Sequence, residues 1–308
     1  MSDREKKSSK KYGTVALVGR PNAGKSTLMN VLLSEKLAIV SNKPQTTRHR
    51  LVGILSEARG QLVFYDTPGV HKPQHQMNRN MVKAAQEALA DADVVCLIVD
   101  VSEPSGSGDE YMLEWVKRAE VPRILILNKV DKVAKPKLLP RIAEYAATNL
   151  FEEIVPISAV QEDGTATVLD ILWRLAPEGE PQYDPDLLTV HPERFLVTER
   201  IREKILEQTG EELPYSTAVI IERWEEREDG LLEIGASILA EKENQKKILV
   251  GAGGARIKAI GTAARLDLEQ YLERKVFLDL NVVHAKQWRE NRRILAQLES
   301  APWDVDLS

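Results

Sequence analysis

The octapeptide Gly19-Arg20-Pro21-Asn22-Ala23-Gly24-Lys25-Ser26 restricts what this chain can fold into more than any other segment. It fits the spacing G-x-x-x-x-G-K-[ST], follows the apolar run Thr14 to Val18 directly, and leads into a helical pattern near Lys25. Strand, glycine-rich loop and helix in that order aim backbone N–H groups and a helix N-terminus at one point, a ready cradle for phosphate groups. Glycine allows the close backbone approach, Lys25 reaches the outer phosphates, and the Ser26 hydroxyl is a ligand for Mg²⁺, with Thr27 beside it in the phosphate-binding set. The bland alternative is a plain glycine-rich turn, which does not require the four specified residues Gly19, Gly24, Lys25 and Ser26 at this spacing between a strand and a helix.

Such a loop does not choose its base, and kinases and ATPases share it. The choice comes from Asn128-Lys129-Val130-Asp131, which follows the apolar run Ile124 to Leu127 and so sits at a strand's C-terminal end, where open α/β sheets bind ligands. Asp131 can accept hydrogen bonds from the guanine N1–H and 2-amino group, donors that adenine lacks there. Asn128 fixes the loop and meets the base N7, the Lys129 stem crosses the ring, and Ser158-Ala159 offers the Ala159 N–H to the guanine O6. Asp66-Thr67-Pro68-Gly69 ends the run Leu62 to Tyr65. There a carboxylate can hold Mg²⁺ and the Gly69 N–H can sense a γ-phosphate. In Pro44-Gln45-Thr46-Thr47-Arg48, Thr47 is the expected switch hydroxyl on Mg²⁺, with Thr46 in reserve. The stretch Val70 to Arg79 lacks periodicity and reads as a mobile switch, and His71 and His75 within it read as solvated loop histidines because Pro73 lies between them.

Around these motifs, short β-branched runs alternate with helical patterns from Thr14 to about Ala176, the pattern of a parallel sheet covered by helices. Strands are expected at Thr14 to Val18, Val52 to Leu55, Leu62 to Tyr65, Val94 to Val99, Arg123 to Leu127 and Glu153 to Ile157. The segment between Leu55 and Leu62 is too short for a crossover helix, so one edge strand is antiparallel and the six-stranded sheet is mixed. At 308 residues the chain has room for two domains. The boundaries expected are a disordered tail over 1–11, an α/β domain over 12–176, a Pro- and Gly-rich linker over 177–191, a smaller α+β domain over 192–300 and a tail over 301–308. In the second domain the pattern gives a helix from Pro192 to Gln208, a hairpin turning near Asp229-Gly230, two helices around Gly251 to Gly254, a strand at Val276 to Val282 and an amphipathic helix from about Lys286 to Leu298.

A net charge of -5 advertises no polyanionic partner, so any nucleic-acid surface has to be local. The single cysteine, Cys96, lies in the apolar run Val94 to Val99 and excludes a disulfide framework, which points to a buried thiol in a reducing compartment. No run approaches the roughly 20 apolar residues of a spanning helix, and the polar N-terminus reads as the solvated tail of a cytoplasmic protein.

Taken together, Gly19 to Ser26, Gln45-Thr46-Thr47-Arg48, Asp66 to Gly69 and Asn128 to Asp131 resemble the bacterial Era GTPases, and the resemblance runs through the second domain. It implies a Ras-like P-loop NTPase domain, its mixed six-stranded sheet covered by helices on both faces, followed by a type II KH domain. It also implies binding of GTP or GDP with Mg²⁺, binding of the 3′ end of 16S rRNA, and a role in assembly of the 30S subunit, by a cytoplasmic monomer. Peripheral association with the inner face of the cell membrane is carried as a further expectation. Ras-type proteins orient the attacking water with a glutamine after Asp-x-x-Gly, whereas Val70 stands here, so intrinsic hydrolysis is expected to be slow. In related GTPases an asparagine matching Asn22 helps hold K⁺, which makes Lys25, Thr47, Asn22 and Gly69 the expected catalytic set.

In the second domain, Gly251-Ala252-Gly253-Gly254 is a G-x-x-G turn between apolar helical segments, where a KH domain clamps about four nucleotides. The RNA set expected is Gly251, Ala252, Gly253, Gly254, Arg256 and Lys258. Ala252 and Gly253 depart from the charged loop of many KH domains, leaving positive charge to Lys246, Lys247, Arg265, Lys286, Arg289, Arg292 and Arg293. Two alternatives stand beside this reading. One is a signalling GTPase whose C-terminal domain binds protein. The other is a small-molecule kinase, which Asn128 to Asp131 disfavour.

Overall fold

The computed structural model describes residues 10–43, 45–69, 75–210 and 213–300. The expected tails, apart from Lys10, Lys11 and the chain up to Ser300, and the switch positions Val70 and His71, fall outside the described residues. Contacts divide the chain into two compact units, one of residues within 1–38, 47–72 and 81–190, the other within 39–46, 73–80 and 191–308.

Up to residue 190 strands and helices alternate: β1 (Lys11–Gly19), α1 (Lys25–Leu33), β2 (Leu51–Glu57), β3 (Gly60–Asp66), α2 (Gln76–Ala90, of which the first unit takes Met81 onward), β4 (Val94–Asp100), α3 (Ser107–Val116), β5 (Arg123–Asn128), α4 (Lys135–Ala146), β6 (Glu153–Pro156) and α5 (Thr165–Leu175). They form one six-stranded sheet of order β2-β3-β1-β4-β5-β6. Only β2 runs antiparallel to its neighbour; β1, β3, β4, β5 and β6 are mutually parallel. The central strands read as unbroken apolar runs because helices cover both faces of the sheet. Ala16, Val18, Val95, Leu97, Val99, Leu125 and Leu127 pack with Ala85, Met112, Val116 and Tyr145 from α2, α3 and α4. Alternation sends the equally buried Val15, Leu17, Cys96, Ile98, Ile124 and Ile126 to the opposite face, the side of α1 and α5.

Two features differ from expectation here. Gln76 to Arg79 are the first turn of α2 rather than irregular switch, with the Arg79 N–H bonded to the His75 carbonyl at 3.0 Å. The signal is the spacing of the buried Met77, Met81, Ala85 and Ala88, which is helical but starts among polar neighbours. The second is the Pro- and Gly-rich stretch, which lies along the sheet margin. The Ile54 N–H reaches the Leu188 carbonyl at 2.8 Å, and the Gln61 side-chain amide clasps the backbone of Gln182 and Tyr183. A strap of this kind pairs groups that an open edge strand would leave exposed.

The second unit consists of α6 (Glu193–Gln208), α7 (Leu213–Ser216), β7 (Thr217–Glu226), β8 (Leu232–Ala240), α8 (Glu243–Val250), α9 (Ala255–Tyr271), β9 (Val276–His284) and α10 (Arg292–Ser300). Its sheet has the order β7-β8-β9, antiparallel then parallel. One face is closed by α6 and α9, whose Val197, Ile201, Ile205, Ile260, Ala264 and Leu268 meet Leu232, Ile234, Ala236, Ile238 and Val276 in a single core. The last helix begins at Arg292, not Lys286. Gln287 turns left-handed (φ 53°), fully buried Trp288 is anchored through Nε1 to the Ser216 carbonyl at 3.0 Å, and Asn291 caps the helix by accepting the N–H groups of Arg293 and Ile294. Among the described residues no helix is long and apolar enough to cross a membrane.

Candidate functional site

β1 lies between β3 and β4, the point in the strand order from which successive connections diverge, and its C-terminal end delivers the phosphate loop there. Lys25 is buried at the bottom of that loop. Its Nζ donates to the carbonyls of Gly19 at 3.1 Å and Arg20 at 3.0 Å, and burial pulls its pKa down to about 8 against the opposing attraction of Asp66. Neutral carbonyls compensate a buried ammonium only in part, so an anion entering the cradle restores its full charge.

Next to Lys25 three oxygen-bearing side chains converge. Asp66 Oδ2 accepts the Ser26 hydroxyl at 2.5 Å and the Thr47 hydroxyl at 3.2 Å, and the two hydroxyls are 2.9 Å apart. Asp66 Oδ1 is buried with no hydrogen-bond partner among the described residues, and burial pushes the carboxyl above the usual carboxylate range in spite of Lys25 and both hydroxyls. Hard oxygens grouped around an unsatisfied carboxylate oxygen are the donor set a Mg²⁺ ion takes, so these residues fit that ion. Thr46 is placed differently, its hydroxyl donating to the Lys43 carbonyl at 2.6 Å.

Beyond Asp66, the Thr67 hydroxyl is spent on the Leu17 carbonyl at 2.8 Å, and Pro68 and Gly69 are buried. A Cβ on Gly69 would lie 2.6 Å from the Pro21 backbone, so only glycine lets this strand end close on the phosphate loop. Asn22 holds φ 62° within that loop, a left-handed conformation that asparagine tolerates.

The turn Asn128 to Asp131 is joined to the loop Gly19 to Ser26 by Asn128, which is buried at the end of β5. Its Nδ2 donates to the Ala23 carbonyl at 2.9 Å, while its Oδ1 accepts the Lys129 N–H at 2.8 Å and the Ala159 N–H at 3.0 Å. The Ala159 N–H is thus already donated within the protein, and a base oxygen would share it. Gly24, at φ 96°, makes room for the clasp, since a Cβ there would lie 2.2 Å from Asn128 Nδ2. Asp131 is exposed, and its Oδ1 accepts the Ser158 hydroxyl at 2.6 Å, which orients the carboxylate without burying it. Val130–Lys132 form a single 3₁₀ turn after left-handed Lys129, whose Nζ meets Asp100 Oδ2 at 2.5 Å. Asp100 lay outside the expected set; its only signal is its place as the last residue of an apolar strand.

In the second unit, α8 ends at Val250 with Gly251 as its C-cap and α9 begins at Ala255, with Gly251, Gly253 and Gly254 all at positive φ. Ala252 and Gly253 are exposed, as is Lys258, and the Arg256 guanidinium donates to the Ile248 carbonyl at 2.9 Å. Of the surrounding basic residues, Arg265 and Arg289 are paired with Glu269 and Glu241, whereas Lys247, Lys286, Arg292 and Arg293 are exposed.

Residues 14–129 match the family model described as a 50S ribosome-binding GTPase, and residues 212–289 match that of the KH domain. GTPase Era of Geotalea uraniireducens is 45% identical over 285 residues, covering 92% of this chain and 96% of that protein. The chain belongs to the Era GTPase family. Era of Staphylococcus haemolyticus is 41% identical over 288 residues, with 94% and 96% coverage. Two solved Era structures share the fold at 36% identity, each covering 94% of this chain and 98% of that one. They are a single-residue variant of Aquifex aeolicus Era bound to GDP·AlF4⁻, with a TM-score of 0.90, and an Era in complex with MgGDPNP and nucleotides 1506–1542 of 16S ribosomal RNA, with a TM-score of 0.91. The Era likeness spans both units, so this chain has the Ras-like P-loop sheet followed by a KH domain.

Proposed function

We propose that this chain is a GTP-hydrolysing switch that binds the 3′ end of small-subunit ribosomal RNA through its second unit and assists 30S assembly, acting as a cytoplasmic monomer. The observation that carries the nucleotide half is Asn128, which ties the phosphate loop, the Asp131 turn and the Ala159 turn into one cradle. Lys25 would leave its loop carbonyls for the outer phosphates, gaining a full charge partner where it now has dipoles. Ser26, Thr47 and Asp66 would hold Mg²⁺, which when bound neutralises charge on the phosphoryl oxygens. The buried Gly69 N–H would sense the γ-phosphate, and Asp131, oriented by Ser158, would read the guanine edge.

Val70 carries no polar atom with which to orient a water, so the intrinsic rate is slow, and Asn22 would help hold K⁺ as the stimulating charge. The Gly251 to Gly254 turn supports the RNA half, because positive φ at its three glycines turns the chain so that Ala252 and Gly253 stand exposed between half-buried Gly251 and Gly254, leaving backbone that phosphates can approach. The test is sequencing of RNA crosslinked to the full chain with and without a non-hydrolysable GTP analogue. Enrichment of the 3′ end of small-subunit rRNA is expected with the analogue; unspecific RNA in both samples contradicts the reading.

A further inference from the structure

None of the site motifs includes the connection between β4 and α3, yet it grips two of the nucleotide loops. At its start, Asp100 accepts the Lys129 ammonium on Oδ2 at 2.5 Å and the Ser102 hydroxyl and N–H on Oδ1 at 2.5 and 2.9 Å, so each carboxylate oxygen is engaged. Burial raises this carboxyl's pKa, but the hydrogen bonds from Lys129 and Ser102 overcome that and hold it below the usual range. At its far end Asp109, 8% exposed, accepts the Arg20 guanidinium at 2.8 Å and the Gly106 N–H at 3.1 Å. Gly108 leaves the lane along which Arg20 lies, since a Cβ there would come within 3.2 Å of its Cδ and Nε. The carbonyl of the same Arg20 receives Lys25 Nζ. From the other side, Arg141 of α4 donates to the Ser105 hydroxyl and the Glu103 carbonyl, which ties the middle of the connection down.

We propose that the segment Asp100 to Asp109 is a positioning bracket for the bound guanine nucleotide, in which Asp100 fixes the Lys129 stem for the face of the base and Asp109 fixes Arg20 and with it the phosphate loop. The idea rests on the reading of Lys129 and Lys25 as nucleotide contacts. Its physical basis is pre-organisation. A flexible lysine stem whose ammonium is already anchored loses less freedom when a base stacks on it. One short segment gripping both loops also sets the distance between the base end and the phosphate end of the cradle.

The experiment compares Asp100→Asn, Lys129→Met and their double variant as full chains, reading GDP affinity with a fluorescent N-methylanthraniloyl nucleotide, KM and kcat by phosphate release, and stability in urea. Asp100→Asn is expected to weaken GDP and GTP alike by roughly tenfold, raising KM while kcat at saturation stays within about twofold. It should have no further effect in the Lys129→Met background. Asp109→Asn is expected to weaken both nucleotides similarly, without adding to Arg20→Met. Ser102→Ala removes one hydroxyl and guards against a variant that fails to fold; about threefold weaker GDP binding is expected. Wild-type affinity in a stable Asp100→Asn chain, or the same loss with and without Lys129, overturns the bracket. Failure of the unaltered chain to prefer guanine nucleotides would instead overturn the reading on which the bracket rests.

Discussion

Replacing Asn128 with alanine removes three hydrogen bonds at once, to the Ala23 carbonyl and from the Lys129 and Ala159 N–H groups. Two of the stranded groups belong to Ala23 and Ala159, each 1% exposed, whereas Lys129 is half-buried and can turn to water. A buried group left unpaired costs about 1–3 kcal/mol, so the pair costs about 2–6 kcal/mol, and water entering the vacated space reduces this to about 3 kcal/mol. These bonds exist before nucleotide binds. The loss therefore divides between folding stability, read by urea denaturation of the nucleotide-free chain, and GDP affinity, read by calorimetry, with the two losses summing to about 3 kcal/mol, a factor of about 150. The geometry also predicts coupling with Gly24→Ala, whose Cβ meets Asn128 Nδ2 at 2.2 Å. In the Asn128→Ala background that clash is gone and only the left-handed strain of about 1–2 kcal/mol remains, so the double variant should be less impaired than the sum of the singles. A combined loss under about 1 kcal/mol for Asn128→Ala, or strict additivity with Gly24→Ala, would refute the idea that Asn128 ties the loops together.

Asp131→Asn exchanges the carboxylate proposed to read the base for an amide and should shift preference from GTP to xanthosine triphosphate in a competition assay; unchanged guanine selectivity removes Asp131 from that role. Hydrolysis should run several-fold faster in KCl than in NaCl at equal ionic strength, and Asn22→Ala should abolish the difference. Equal rates in the two salts in the unaltered chain sink the cation assignment. Cys96 is fully buried in β4 and burial pushes its thiol up. It should react with a thiol reagent only as fast as the chain unfolds, and immediately in urea; fast reaction in the native state would contradict its place in the core.

The sheet was legible in the sequence because strands covered on both faces leave continuous apolar runs such as Val94 to Val99, and the short Leu55 to Leu62 interval admits only a hairpin. The convergence of Ser26, Thr47 and Asp66, and of Asn128 on Ala23, was legible for a related reason: residues at strand ends keep fixed spacing to their strands, and parallel strands bring those ends together. What was hidden depends on contacts distant in sequence. The strap at 177–190 is held by Gln61 and Ile54, over a hundred positions earlier in the chain, and nothing in its own composition signals a docking surface. Trp288 interrupts the last helix because its indole is drawn to Ser216, a tertiary preference that local periodicity cannot carry. Asp100 and Asp109 look like ordinary acidic residues until the fold sets Lys129 and Arg20 against them.

The most direct test of the switch reading is a salt titration of the full chain, loaded with a non-hydrolysable GTP analogue, against an oligonucleotide from the 3′ end of small-subunit rRNA, beside Gly253→Asp. Among the described residues no atom lies within 4 Å of a Cβ added at Gly253, and aspartate is one of the residues that visit its φ of 57° most readily, so the variant carries only modest backbone strain while placing a carboxylate where RNA phosphates would pass. The account predicts binding that weakens steeply with salt in the unaltered chain and is lost in Gly253→Asp, with GDP affinity the same in both. Equal RNA binding by the two proteins would contradict it.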